Sequence, residues 1–272
     1  MKKAIQDGLL SLYRHARRRG VFATPVGRWC FLRAYWTYKR LWEPDITFLR
    51  RFVPRDAWVV DVGANIGFFS RQFCGWVSGD GRVLAFEPEQ DNFQALEAIA
   101  RRSGRGQVLL ARQSLVANAD TTLRLELNPD NPADHHIGAE GILTRAVRLD
   151  TEIKDLGWPR VGLIKVDVQG AESLVIEGTK ETLERSRPAI LMEIDDAALA
   201  RFGSSAERLQ DQMAACGYAM YEAEGTRLGT PISASRAQVL RVKLGYADFV
   251  FLPRERRSSK GPSQYFRSAM RR

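Results

Sequence analysis

The sequence predicts an α/β fold: a mostly parallel sheet with helices on both faces. Three observations lead there. Short apolar runs recur along the chain, at Val59-Val60-Asp61-Val62, Arg82-Val83-Leu84-Ala85-Phe86, Gly162-Leu163-Ile164-Lys165-Val166 and Pro188-Ala189-Ile190-Leu191-Met192. Continuous apolar runs of this length suit strands buried on both faces, the habit of parallel sheets. Most of these runs end in a polar or glycine-bearing turn that leads into a helical pattern, as at Phe68–Phe73, Asp91–Leu96 and Ser173–Glu177. Strands that alternate with helices build parallel sheets through crossover units.

The first strand gives the strongest functional signal. It leads into Asp61-Val62-Gly63-Ala64-Asn65-Ile66-Gly67 and then a helix. Glycines let the backbone turn tightly and lie close to a ligand. The helix start directs unpaired N–H groups and a positive dipole end at the same place. Ligands of open α/β sheets bind at this edge. The spacing is neither the Gly-x-Gly-x-x-Gly of dinucleotide folds nor a phosphate-binding loop with Gly-Lys-Ser/Thr.

The second strand closes with Glu87-Pro88, about twenty residues on, where an acid accepts hydrogen bonds from ribose hydroxyls. After the strand Val108-Leu109-Leu110, the segment Gln113-Ser114-Leu115 is placed to flank a base, which makes Ser114 a further cofactor-binding candidate. The third and fourth runs end near Asp167 and Glu193. A carboxylate at a strand end must be hydrated, paired or used, because burying it alone is costly. Several on one rim favour use.

Between these blocks lies a turn-rich loop, Asn128 to Gly138, with His135 and His136, bracketed by strand-like Thr122–Leu127 and Thr144–Leu149. A loop in this position offers a base or an acceptor contact. Adjacent histidines in a strand point to opposite faces, which weakens a metal reading, and no metal is expected.

The ordered set Asp61-Val62-Gly63-Ala64-Asn65-Ile66-Gly67-Phe68-Phe69-Ser70, Ala85-Phe86-Glu87-Pro88, Ile164-Lys165-Val166-Asp167-Val168-Gln169-Gly170-Ala171-Glu172 and Pro188-Ala189-Ile190-Leu191-Met192-Glu193 resembles the FkbM-type methyltransferase family. The resemblance covers about residues 55–195. It implies a class I methyltransferase, Rossmann-like fold, with a seven-stranded, mostly parallel sheet and one antiparallel edge strand. It also implies S-adenosylmethionine as cofactor and an acceptor hydroxyl on a sugar, glycoconjugate or similar small molecule. On these motifs Gly63, Asn65 and Gly67, with Asp61, would hold the methionine part of the cofactor and Glu87 its ribose. Asp167 would face the transferring methyl as base or orienting group, with His135, His136 and Glu172 as further catalytic candidates. The family's third block usually reads Asp-x-Glu-Gly-x-Glu, whereas this chain carries Gln169 at the middle acid. Glutamine keeps the shape and hydrogen bonding but takes no proton.

Charge divides the chain into three expected parts. Residues 1–51 carry a net +9 and residues 254–272 a net +6, while 52–253 carry −6, for a total of +9. The expected parts are therefore a basic, aromatic-rich helical extension (1–51), a methyltransferase domain (52–253) and a basic, disordered tail (254–272). In the extension, Ile5, Leu9, Leu12 and Ala16 recur at helical spacing, and Trp29 to Trp42 mixes aromatics with cations. Two readings stand: peripheral docking of residues 1–42 at an anionic membrane surface, or a lid over the sheet.

Charge confined to the ends argues against a nucleic-acid-binding domain, and the sequence lacks Asn-Pro-Pro-aromatic and Pro-Cys motifs. The alternatives are a nucleic-acid methyltransferase recruited by its basic ends and a non-catalytic binding protein of the same fold. Cys30, Cys74 and Cys216 are far apart and form no C-x-x-C pair, which suits a reducing cytoplasm. No apolar run of about 18 residues spans a membrane, and the start does not read as a secretory signal.

Overall fold

The computed structural model describes residues 8, 11–16, 18–21, 24–102, 108–131, 134–224, 226–244 and 246–254. Ile5, Leu9 and the tail beyond 254 lie outside the described residues.

Eight strands form the main sheet: β1 (Trp58–Val62), β2 (Val83–Phe86), β3 (Leu109–Arg112), β8 (Val161–Val166), β9 (Ala189–Asp195), β10 (Tyr218–Glu224), β11 (Arg227–Pro231) and β12 (Tyr246–Pro253). Their order across the sheet is β11-β10-β12-β9-β8-β1-β2-β3. Strands β3, β2, β1, β8 and β9 run parallel. Strand β12 is antiparallel to both its neighbours, β9 and β10. Antiparallel β11 forms an added edge, so the sheet exceeds the expected seven strands by a hairpin arm.

Alternate residues of β1 feed two cores. Val60 and Val62 join one apolar cluster and Val59 the other, on opposite faces. That two-sided burial is why the run is continuously apolar. Helices flank the sheet: α2 (Phe68–Phe73), α3 (Gln90–Arg102), α4 (Leu149–Asp155), α5 (Glu172–Glu177), α6 (Lys180–Ser186), α7 (Asp196–Ala200), α8 (Ala206–Ala215) and α9 (Ala234–Leu244).

A smaller sheet, β4 (Leu115–Val116), β7 (Ile142–Val147), β5 (Thr121–Glu126) and β6 (His136–Ile137), is inserted between β3 and α4. Upstream, α1 (Pro25–Trp42) starts with Pro25 behind the Thr24 cap, whose hydroxyl accepts from Gly27 N at 3.1 Å. That arrangement suits the first helical turn.

The chain leaves β1 for β2 and β3 on one side, then returns to β8 on the other. The crevice at the C-terminal ends of β1 and β8 is therefore the switch point where such sheets bind ligands.

Candidate active site

The turn after β1 is fixed by its neighbours. Gly63 N and Ala64 N both donate to Phe86 O, at 3.1 and 2.9 Å, and Asp167 N donates to Val62 O at 3.1 Å. Gly63 adopts φ +78, and a Cβ there would sit 1.8 Å from the Asp167 carbonyl oxygen. Only glycine fits both constraints. Gly67, also left-handed, packs on Leu96 and Ile99 of α3 and opens α2. Asn65 is left-handed as well, with φ 51, and its carboxamide oxygen accepts from Ile66 N at 2.8 Å.

Glu87 lies at the end of β2, almost wholly buried. Its two carboxylate oxygens accept from Asn65 N at 2.8 Å and Glu89 N at 3.0 Å. Burial outweighs these bonds and pushes its carboxyl up to about 7. Ser114 has a buried hydroxyl with no hydrogen-bond partner, and it faces the same cavity.

The opposite wall comes from β8 and β9. Lys165 interrupts an otherwise apolar strand and is almost fully buried, which a cation tolerates only with partners. Its Nζ donates to Asp167 Oδ2 at 3.0 Å and lies 5.0 Å from the Phe69 ring centroid. Burial works against charge on Asp167, but Lys165, Lys39 and hydrogen bonds from Lys165 and Gln169 prevail and hold its carboxyl below the usual range. Glu193 goes the other way: burial and the charges of Asp167 and Asp248 raise it well above the ordinary carboxylate value. Environments that push two carboxyls apart in this way separate an ionised from a protonated partner.

A single cavity of about 940 Å³ gathers Gly63, Asn65, Glu87, Ser114, Asp167, His135 and His136, together with Lys165 and Glu193. Three expected site residues lie elsewhere. Asp61, in β1 and fully buried, accepts from Ser70 Oγ at 2.5 Å and leaves its other oxygen unpartnered. Gly67 packs against α3, away from the cavity lining. Glu172 sits beneath the Gln169-Gly170 turn and accepts from Gly170 N at 3.1 Å; burial raises its carboxyl to about 7. His135 Nδ1 accepts from Asn128 N at 3.0 Å, and His136 Nε2 lies 3.4 Å from Glu126 Oε2.

Helix α1 lines one side of the cavity. Trp36 packs on Phe68 at the start of α2, centroid to centroid 5.3 Å, and Arg71 lies over Trp36 at 5.5 Å. Tyr35, Tyr38, Lys39 and Trp42 face inward. The signal for Lys165 was a lone cation in a buried strand. The inward face of α1 had no comparable local signal.

Residues 61–220 match the model of the methyltransferase FkbM domain. The chain is 31% identical over 157 residues to 2-O-methyltransferase NoeI of Sinorhizobium fredii, covering 48% of this chain and 61% of that protein. It is also 31% identical over 126 residues to hexuronic acid methyltransferase AglP of Haloferax volcanii, covering 46% of this chain and 50% of that one. Among solved structures, a methyltransferase FkbM from Methylobacillus flagellatus KT matches with a TM-score of 0.45 and 17% identity, over 80% of this chain and 50% of that one. With a buried glycine turn, a strand-end acid and a Lys–Asp pair inside a matched segment that exceeds half its length, the chain belongs to the FkbM methyltransferase family.

Proposed function

We propose that this chain is an S-adenosylmethionine-dependent O-methyltransferase acting on a hydroxyl of a sugar or similar small molecule. The observation that carries the reading is the convergence of the Gly63–Asn65 turn, Glu87, Ser114 and the Asp167–Lys165 pair on one cavity. The names of the relatives NoeI and AglP, one a 2-O-methyltransferase and one acting on a hexuronic acid, support the acceptor class.

The residues fit the cofactor. The glycine turn lines the cavity with Gly63 and Asn65, Glu87 offers carboxylate lone pairs suited to a diol, and Ser114 carries a buried hydroxyl in want of a partner. When bound, S-adenosylmethionine supplies a methyl already activated on a sulfonium. The protein's remaining work is to hold an acceptor oxygen in line and take up its proton. Asp167, kept ionised by Lys165 and Lys39, accepts the hydrogen bond of the acceptor hydroxyl and orients its lone pair. A hydroxyl oxygen becomes strongly acidic as it forms its new C–O bond, so a weak carboxylate suffices as proton acceptor. Gln169 donates to Asp167 in this scheme and needs no proton of its own. His135 and His136 contact the acceptor from the β5–β6 side.

Label transfer from methyl-tritiated S-adenosylmethionine to a panel of sugar acceptors tests the assignment. Asp167→Asn is expected to lower turnover roughly a hundred- to ten-thousand-fold with cofactor affinity changed only a few-fold. Unchanged turnover removes Asp167 from the mechanism.

The outward face of α1 supports a second contact. Val26, Trp29 and Leu41 are exposed there beside Arg33 and Arg40, a pattern suited to an anionic lipid surface. No helix among the described residues is long and apolar enough to cross a membrane. Sedimentation of the full chain with phosphatidylserine vesicles tests this; recovery no better than with neutral vesicles refutes it.

A further inference from the structure

Among the described residues, α1 adds no side chain to the apolar cores on either face of the sheet or under the small sheet. Its hold on the body is the stack of Arg71, Trp36 and Phe68. Helical propensity alone is marginal in water, so such a helix draws its stability from whatever meets its faces. Elements with few buried contacts sit at the low-stability end of a fold, from which binding-site lids are drawn.

Two faces of α1 remain beside the Trp36 contact. At about 100° per residue, Phe31, Tyr35, Tyr38 and Trp42 fall on one side and Val26, Trp29, Arg33, Arg40 and Leu41 on the other. The first set lines the cavity that holds Asp167, with Lys39 beside it. Phe31 meets Tyr35 at 5.7 Å between ring centroids and Tyr35 meets Tyr38 at 6.4 Å, both pairs nearly parallel. These rings meet a cavity where most helices meet a core. On the second set Val26, Trp29 and Leu41 are 57–71% exposed. Pro25–Trp42 contains no Asp or Glu, and Arg14, Arg18 and Arg19 are exposed just upstream. Apolar side chains set among cations, with no acid between them, match an anionic bilayer surface in both charge and polarity.

A ligand in the cavity supplies contacts to the inward rings, and lipid supplies contacts to the outward stripe. Both hold the same helix in the same place, so the entropy of fixing it is lost once for two binding events. Resting on the methyltransferase reading and the lipid contact above, we infer that α1 couples the two sites: the cavity's ligand and an anionic bilayer each favour the docked helix, and each binds more tightly when the other is present. A helix fixed by a core of its own would let the two bind independently.

The test uses the full chain. Calorimetry reads S-adenosylmethionine affinity with and without vesicles of phosphatidylserine in phosphatidylcholine, and sedimentation reads vesicle affinity with and without S-adenosylmethionine. Linkage demands the same factor in both directions, and the expected gain is about threefold or more. Amide exchange across Pro25–Trp42 should slow with either partner and slow most with both. The double variant Arg33→Glu, Arg40→Glu should lose vesicle binding and the coupling, with cofactor affinity in lipid-free buffer within about twofold of wild type. A factor of one, or mutual weakening, overturns the inference although both partners bind, as does coupling that survives in the double variant. Absent vesicle binding overturns it together with the lipid contact and leaves the methyl-donor reading standing. Absent cofactor binding overturns it together with the methyl-donor reading and leaves the lipid contact standing.

Discussion

If Glu87 holds the ribose as proposed, it should make cofactor affinity a function of pH, and its environment sets the size of the effect. Burial raises its carboxyl from 4.5 to about 7 although two backbone N–H groups donate to it. Ribose hydroxyls donating to the carboxylate would stabilise the ionised form and return its pKa toward the ordinary range. Binding then selects the ionised form and releases a proton. Below about pH 7 each unit of pH should weaken binding up to ~10-fold, so affinity at about pH 8 should exceed that at about pH 6 by roughly tenfold, ~1.4 kcal/mol.

Calorimetry at both pH values, in buffers of different ionisation enthalpy, reads affinity and proton release together. The ligand's own amino group titrates nearby, so Glu87→Gln serves as the control. The variant should bind more weakly at about pH 8 and lose the part of the slope that belongs to Glu87. Wild type and variant with the same pH dependence would refute the assignment of Glu87 to the cofactor.

Glu172 offers a stability counterpart. Its folded carboxyl, at about 7, lies above the ordinary 4.5, so the folded state holds the proton more tightly and stability should fall as pH rises through that window. The loss is about 3 kcal/mol, and Glu172→Gln, which keeps an acceptor for Gly170 N, should flatten it in denaturation curves at about pH 5 and 8. Lys165→Met leaves Asp167 and Asp61 without their buried cation, and urea unfolding should register a loss of roughly 3 kcal/mol or more together with reduced turnover. Gly63→Ala combines a left-handed φ of +78 with a clash on the Asp167 carbonyl, and should cost about 2 to 4 kcal/mol by the same measurement.

Much of the crevice beside β1 was legible in the sequence because its determinants are local. A strand, a glycine turn and a helix start lie within a dozen or so residues, and Pro88 marks the end of β2 beside Glu87. The convergence of Glu87, Asp167 and Glu193 on one rim follows from parallel strands sharing a direction. What stayed open depends on distant contacts. Aromatics and cations alternate along residues 29–42, so the helix offers two amphipathic faces, and composition does not say which one meets the sheet. Trp36 against Phe68 and Lys39 near Asp167 settle that by packing between segments far apart in sequence. Gly225-Thr226 in the sequence is a hairpin cue for the β10–β11 arm, but β11 (Arg227–Pro231) has no apolar run to mark it as a strand, and the sheet's eighth strand went unread for that reason.

The contact between Gly63 and the Asp167 carbonyl makes the two walls of the crevice one rigid part. Backbone touches backbone there, so the gap between the glycine turn and the strand that carries Asp167 is set by the main chain and cannot be tuned by exchanging side chains. Tyr35, Tyr38 and Lys39 of α1 reach the same cavity only through side chains, on a helix upstream of both. The shape of the cavity on that side can thus be redesigned by rewriting one helical face, while the spacing between β1 and β8 stays as the sheet built it.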